Sequence, residues 1–188
     1  NQDRRQTYEQ SKHSADLKSQ TRTFFMAGEE AERRGQLSRA LNHFKLCVEY
    51  MPKERKYIKA LKRIDGLLNE EQAAKIWAES NSLFLNDDPL QQQIGLDLMR
   101  EACELSPNQR RLLVLTQKSI EFESVEAIIP LLLSQHKVES MNLEYMWALS
   151  QCYESQKQLE DVKKYVNIML DYDPSEPRAL RLKKRYRF

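Results

Sequence analysis

Histidines and cysteines are the residues of this chain that most often mark a transition-metal site. His13, His43 and His136 are far apart in the sequence, and none has a second His or Cys at the spacing of a metal site. No Cys-x-x-Cys pair occurs either. The sequence therefore predicts no metal site and no cofactor.

Catalytic motifs are equally scarce. The sequence contains no glycine-rich phosphate-binding loop and no Gly-x-Ser-x-Gly nucleophile motif. Carboxylate pairs such as Glu29 with Glu32, or Glu70 with Glu71, are typical of solvated helix faces, because nothing nearby would make one carboxyl an acid and the other a base. We predict that the protein is not an enzyme.

The amino-acid composition indicates the type of secondary structure that would position any binding residues. The 188 residues are 40% apolar and 31% charged, with only four Gly and six Pro, and the mean hydropathy is −0.73. Helix-forming residues dominate, so the chain is predicted to be all-α and long enough to bury a core. The net charge of +2 argues against a bulk polyanion as the main partner.

The cysteines and the apolar segments bear on location. Cys47, Cys103 and Cys152 are widely spaced within apolar helical patterns, which favours buried thiols in a reducing compartment. No apolar run approaches the roughly 18 residues of a membrane span, and the N-terminus lacks the apolar block of a signal peptide. These features predict a cytoplasmic protein without a transmembrane segment.

One stretch, residues 24–52, places small, aromatic and proline residues at even spacings. Ala40 follows Gly28 by twelve residues, Phe44 follows four later, and Pro52 lies twelve after Ala40. Gly35 stands where a left-handed helix cap is expected. The pattern predicts two antiparallel helices joined by a tight turn, with small side chains that let them approach closely.

The same spacings recur near the C-terminus. Ser150, Val162 and Pro174 are separated by twelve positions each, and Thr116 precedes Ser150 by thirty-four positions. A looser unit around Trp77 carries two extra residues in its turn. The recurrence predicts a repeat rather than a single helical hairpin.

The repeat resembles the tetratricopeptide repeat (TPR), which combines an aromatic residue, small residues, a second aromatic and a closing proline at these positions. The residues of the first unit that carry the resemblance are Phe24, Ala27, Gly28, Ala31, Ala40, Phe44, Cys47 and Pro52. The resemblance implies a right-handed α-solenoid of stacked antiparallel helix pairs.

The predicted organisation has four TPR-like units and three further segments. Residues 1–20 form a flexible or loosely docked segment, because they contain little that can be buried. The four TPR-like units cover about residues 21–54, 72–108, 109–142 and 143–176. An unpaired or capping helix covers 55–70, between the first and second units. A basic capping helix covers 177–188 and belongs with the last three units to the region 71–188.

Two features depart from a uniform array. The amphipathic helix after Pro52 lacks a partner of its own, so it either caps the first unit or continues through Gly66 into the Trp77 helix, making residues 53–85 one helix or two. Pro130 falls early in the next helical pattern, so that helix is expected to begin late or to bend.

In TPR proteins the first helices of the pairs line a concave binding groove. The resemblance places the following residues toward that groove: Arg22, Phe25, Glu29, Lys75, Ala78, Ser82, Arg110, Leu113, Gln117, Glu144, Trp147 and Gln151. Phe25, Leu113 and Trp147 are the predicted anchors, since aromatic and apolar anchors dominate peptide recognition. The alternative for Trp147 is packing on a neighbouring helix.

The resemblance implies a non-catalytic scaffold or adaptor that binds a peptide or protein partner in the groove. The cation clamp with which some family members hold chaperone tails is not matched, because Phe25, Met26 and Glu29 occupy its places in the first unit.

Two other functions stay open. The C-terminal segment carries six cations with Tyr186 and Phe188, which fits a tether to nucleic acid or to an anionic surface, or the polar outer face of a capping helix. The cations are Arg178, Arg181, Lys183, Lys184, Arg185 and Arg187. Exposed apolar ends of the stack, or the helix at 53–69, would alternatively support self-association; the oligomeric state is not predicted.

Overall fold

The structure is a computed structural model that describes the backbone of residues 2–188 and the side chains of residues 5–7 and 9–188. Within residues 2–188 the chain is helical without strands, and its nine helices pack against their neighbours, which confirms the predicted all-α class. The helices are α1 (Gln2–Arg33), α2 (Leu37–Tyr50), α3 (Arg55–Leu83), α4 (Pro89–Leu105), α5 (Gln109–Glu121), α6 (Ile128–Val138), α7 (Leu143–Ser155), α8 (Leu159–Tyr172) and α9 (Pro177–Tyr186).

The chain divides into two compact units. The N-terminal unit comprises residues 1–71 and the C-terminal unit residues 72–188, with the boundary falling inside α3. Within residues 2–188, no helix is both long enough and apolar enough to cross a membrane.

The N-terminal unit is closed by a tight approach of α1 to α2. A Cβ atom built on Gly28 would lie 2.6 Å from Cε1 of Phe44, whose side chain is fully buried. The small residue of the predicted pattern is therefore required by packing. The core of this unit also contains Ala31 and Ala40, together with Ala60 and Ile64 of α3.

The turn between α1 and α2 has the predicted left-handed cap. Gly35 has a φ of 70°, where a side chain would be strained. The amide of Gly35 donates to the Glu32 carbonyl and the amide of Gln36 donates to the Ala31 carbonyl, both at 2.9 Å. These two bonds form the Schellman motif that ends many helices.

The N-terminal segment 1–20 is helical from Gln2, since α1 begins there. Described side chains before Leu17 are exposed, and burial begins with Thr21. The backbone carbonyl of Thr21 accepts a weak hydrogen bond from the Cys47 thiol at 3.5 Å. Contacts with the core therefore start where the apolar pattern of the sequence starts.

Helix α3 combines the two arrangements that the sequence left open. It is a single helix through Gly66, and its first turns pack in the N-terminal unit. Tyr57 is buried with its ring 5.1 Å from that of Phe25, and Arg63 pairs with Glu32 at 2.6 Å. These contacts join the beginning of α3 to the N-terminal unit, for which the sequence left an unpaired or a capping helix open.

The helix starts of the C-terminal unit follow the repeat seen in the sequence. Helix α7 begins thirty-four positions after the start of α5, and α9 begins thirty-four positions after the start of α7. Their N-caps follow the same interval, because Asn108, Asn142 and Glu176 each accept a hydrogen bond from a backbone amide of the first turn. The sequence period is thus also a period of local structure.

The helix turns repeat in the same way. Glu123 and Lys157, which lie one repeat apart, have φ values of 52° and 59° and occupy the left-handed position that Gly35 takes in the first turn. The Ser124 amide bonds the Ser119 carbonyl at 2.8 Å, as Gln36 bonds Ala31. Sequence inspection missed these caps because neither residue is a glycine.

Packing in the C-terminal unit follows chain order. Helices α4 to α9 contact the next helix or the next but one, and large buried side chains such as Leu132, Tyr145 and Met169 fill the space between them. Helix α6 begins late, at Ile128, which places Pro130 in its first turn as predicted. Gly95 of α4 lies against Phe84, whose Cε2 would be 3.0 Å from an added Cβ atom.

Candidate functional site

The candidate site is built from the first helices of the C-terminal unit, where the predicted groove residues recur once per repeat. Together with the residues of α9 one repeat later, which were predicted as part of the basic patch, they define three rows across α5, α7 and α9, which we call the first, second and third row. The first row contains Arg110, Glu144 and Arg178, the second Leu113, Trp147 and Arg181, and the third Gln117, Gln151 and Arg185.

The first row contains an ion pair between α7 and α9. Nη1 of Arg178 lies 2.9 Å from a carboxylate oxygen of Glu144, and Nε of Arg178 lies 2.6 Å from the carboxylate of Glu176. The bonds to Glu176 and then Glu144 raise the pKa of Arg178, and the bond from Arg178 lowers the pKa of Glu176. Arg178 is therefore held in place by two carboxylates.

The second row is partly built into the core. Trp147 and Leu113 are half-buried and pack against the core of the C-terminal unit, and the guanidinium of Arg178 lies 5.5 Å from the Trp147 ring centroid. Trp147 thus makes the packing contacts that were the alternative to its role as an anchor. A binding role for both residues stays a prediction.

The third row is joined by an amide contact. Nε2 of Gln117 donates to Oε1 of Gln151 at 3.0 Å, across α5 and α7. Arg185 turns away to Glu154, which it contacts at 2.6 Å and which also accepts a bond from the Tyr186 hydroxyl. The structure therefore brings the two predicted glutamines together.

A surface cavity of about 570 Å³ opens beside α3 and α5 in the C-terminal unit. Its lining combines two guanidinium groups, two carboxamides and two apolar side chains: Trp77, Asn81, Asn108, Arg110, Arg111 and Val114. Of these only Arg110 was predicted for the groove. Lys75, Ala78 and Ser82, the residues of α3 predicted for the groove, are exposed outside this lining.

Sequence reasoning missed most of the cavity because the TPR pattern assigns Trp77 to packing between helices. The Asn-x-Arg-Arg order of residues 108–111 was the available signal, since a helix cap followed by two cations concentrates donors at one helix end. Which of those donors meet Trp77 depends on the approach of α5 to α3.

The predicted groove residues of the N-terminal unit lie on one face of α1. Arg22 and Glu29 are exposed, whereas Phe25 is half-buried, with its ring 5.5 Å from Phe44 and tilted against Tyr57. Lys56 places its Nζ atom 5.4 Å from the Phe25 ring centroid. Phe25 therefore has a packing role, and its role as an anchor remains a prediction.

The cations of the C-terminal helix fall into two groups. Arg178 and Arg185 are engaged by Glu176, Glu144 and Glu154, as described above. The remaining four are exposed: Arg181, Lys183, Lys184 and Arg187. Ala179 and Leu182 of α9 are buried against the core. Part of the charge of this segment thus holds α9 to the rest of the unit.

The thiols are buried, as predicted. Cys47, Cys103 and Cys152 are fully buried and free, and burial raises the pKa of Cys103 and Cys152 to about 12. Across the described residues, His, Cys, Asp and Glu side chains do not assemble into a group of three that could hold a metal ion. Because their pKa is raised, the Cys103 and Cys152 thiols are poor nucleophiles at neutral pH.

Comparisons with known proteins add no relative to this picture. No protein-family model matches the chain, and no curated protein matches it.

Proposed function

We propose that this protein is a non-catalytic interaction scaffold of the TPR type, in which stacked helix pairs form a right-handed solenoid and their first helices bind a peptide or protein partner. The observation that carries the proposal is the repeat period, which recurs in helix starts, caps, turns and the Gln117–Gln151 and Glu144–Arg178 contacts. Among the described residues, the helices with the most extensive contacts are near neighbours in the chain, which also favours a stacked array.

The three rows suggest how a partner would be held. An extended peptide lying across α5 and α7 would meet the Gln117–Gln151 amides, which offer both donors and acceptors to its backbone. The exposed parts of Leu113 and Trp147 would contact its apolar side chains. Because helix packing already fixes these residues, little ordering free energy is lost on binding.

The test is a selection of random twelve-residue peptides displayed on phage against the immobilised full chain. Selected peptides are then measured by fluorescence anisotropy against Gln117→Arg and Asn167→Arg, which add the same charge at exposed positions of α5 and α8. We expect Gln117→Arg to weaken binding about tenfold or more and Asn167→Arg to leave it unchanged.

Equal affinities for the two variants would overturn the groove assignment, as would a selection without enriched peptides.

A salt series distinguishes binding in the groove from binding to the basic C-terminal helix. Binding of a nucleic acid or an anionic vesicle to the exposed cations of α9 would fall by orders of magnitude between low and moderate salt, whereas groove binding would change little.

Self-association is tested by light scattering on the concentrated full chain. A monomer at high concentration would exclude that function.

A cytoplasmic location is proposed on the free, buried state of Cys47, Cys103 and Cys152, which suits a reducing compartment.

A further inference from the structure

The cavity beside α3 and α5 has a positive lining. Its six residues include Arg110 and Arg111 and no carboxylate. Arg111 is only 9% exposed, and its Nη1 atom lies 3.4 Å from the Ser106 carbonyl, so part of its donor capacity is used inside the protein. Arg110 is exposed, and among the described side chains none forms an ion pair or hydrogen bond with it. The guanidinium of Arg110 is therefore the available cation of this cavity.

The equivalent position two repeats further along the chain shows what this kind of guanidinium binds. Arg178 belongs to the same row as Arg110, lies over the ring of Trp147, and pairs with the carboxylate of Glu144 at 2.9 Å. The lining of the cavity also contains a tryptophan and an arginine, Trp77 and Arg110, and it contains no carboxylate. The row position of Arg110 is thus one at which this chain already pairs an arginine with a carboxylate.

We propose that this cavity binds the side-chain carboxylate of a Glu or Asp residue in an extended peptide, with Arg110 as the ion-pair partner and Trp77 and Val114 as the apolar wall. The inference rests on the proposed peptide-binding function and names the chemistry of the peptide. Asn81 and Asn108 contribute carboxamide groups to the lining, and the Asn108 oxygen already caps α5 by accepting from the Arg111 amide at 2.9 Å.

A carboxylate fits this site better than a phosphate group. A phosphate dianion is usually held by several cations, whereas the cavity has one exposed guanidinium and a second that is already bonded to Ser106. A carboxylate carries one charge and matches a single guanidinium fork. The donor set therefore corresponds to a monoanion.

A peptide fits better than a free small acid because the cavity is continuous with the rows. Arg110, Val114 and Gln117 stand at positions i, i+4 and i+7 of α5, so they lie on one face of that helix. A chain that places its carboxylate at Arg110 can therefore reach the Gln117–Gln151 amides. The volume of about 570 Å³ accommodates a few side chains rather than one ion.

The experiment uses the full chain labelled with ¹⁵N and a nine-residue peptide with the central sequence Leu-Glu-Leu between Ser and Ala residues. Acetylated and amidated ends leave the Glu side chain as its only charge. The indole signals of Trp77 and Trp147, distinguished with a Trp147→Phe variant, report where the peptide binds. Two further peptides replace the Glu by Gln or by phosphoserine.

We expect the Trp77 indole signal to shift in a saturable manner with the Glu peptide, and the Gln peptide to bind about tenfold more weakly or worse. Arg110→Met should cause a similar loss for the Glu peptide. Lys184→Met, which removes an exposed cation from α9, should leave the affinity unchanged.

Three results would overturn the inference: equal affinity of the Glu and Gln peptides, an unchanged affinity in Arg110→Met, or tighter binding of the phosphoserine peptide. If the side-chain amides of Gln117 and Gln151 respond while Trp77 does not, the carboxylate site is wrong and the groove stands. If no signal responds, this inference fails, and the phage selection alone decides the proposed function.

Discussion

The two units use the same device for close helix packing but build cores of different size. Gly28 admits Phe44 in the N-terminal unit, and Gly95 admits Phe84 in the C-terminal unit. Alanines are prominent in the N-terminal core, whereas the C-terminal core contains many large side chains contributed by α4 to α9. A single helix pair buries little apolar surface, whereas each further stacked pair buries apolar side chains on both of its faces.

This difference predicts unequal stability. Much of α1 before Thr21 is exposed and contributes little burial to the N-terminal unit. The C-terminal unit repeats its packing several times and removes more apolar surface from water. We therefore expect the N-terminal unit to open at lower free energy than the C-terminal unit.

The largest expected effect separates the two glycines. In Gly28→Ala the new Cβ atom would lie 2.6 Å from the fully buried Phe44 ring, and we expect a loss of about 1–3 kcal/mol in the free energy of unfolding. Gly95→Ala should cost less, because its nearest contacts, with Phe84, the Ser80 carbonyl and Leu83, are longer, at 3.0–3.3 Å. Urea unfolding followed by circular dichroism measures both.

Gly66→Ala is the matched control for these variants. Gly66 lies inside α3 with nothing within 4 Å of an added Cβ atom, so alanine should stabilise the chain by about 0.5–1 kcal/mol through helix propensity. A Gly28→Ala protein as stable as Gly66→Ala would contradict the close approach of Gly28 to Phe44.

The second prediction uses the buried thiols as reporters of the two units. Cys47 lies in the N-terminal unit, and Cys103 and Cys152 lie in the C-terminal unit, all fully buried. A thiol reagent must wait for local opening, so Cys47 should react about tenfold faster or more than the other two. Single-cysteine variants, with the remaining cysteines changed to alanine, allow each rate to be measured in dilute urea.

All three variants should first be shown to have the same circular dichroism spectrum and urea midpoint within error. Equal labelling rates would mean that both units open in one cooperative step, which would contradict the stability difference.

The smallest expected effect is a pH dependence that comes from His136 in the C-terminal unit. His136 is half-buried, its Nδ1 atom lacks a hydrogen-bond partner among the described residues, and its ring meets that of Tyr165 edge-on at 5.9 Å. Burial, with a further contribution from Lys164, lowers the pKa of His136 below its ordinary value of 6.5. The unfolded chain therefore takes up this proton at a higher pH than the folded chain.

The stabilising contribution of His136 is fully present above pH 6.5 and is lost as the pH falls toward the lower folded-state pKa. Unfolding free energies measured in half-unit steps from pH 7.5 to 5.5 should decline with a slope that His136→Phe reduces. That window lies above the range in which most carboxylates titrate. An identical slope in His136→Phe would assign the decline to other groups.

Much of the helical framework could be predicted from residue order. The repeat spacing, the small residue at Gly28, the cap at Gly35 and the late start caused by Pro130 all follow from local preferences. Backbone geometry at these positions depends mainly on the residue itself and its near neighbours. For the candidate site, the sequence supplied the facing positions of α5 and α7, including Gln117 and Gln151.

The tertiary structure decided which of those residues meet. Glu123 and Lys157 adopt a conformation unusual for residues with a side chain, because the helices on either side fix the turn between them. The Trp147–Arg178–Glu144 cluster and the cavity at Trp77 and Arg110 combine residues from different helices. Their contacts depend on the distance and rotation between packed helices, which the sequence period leaves undetermined.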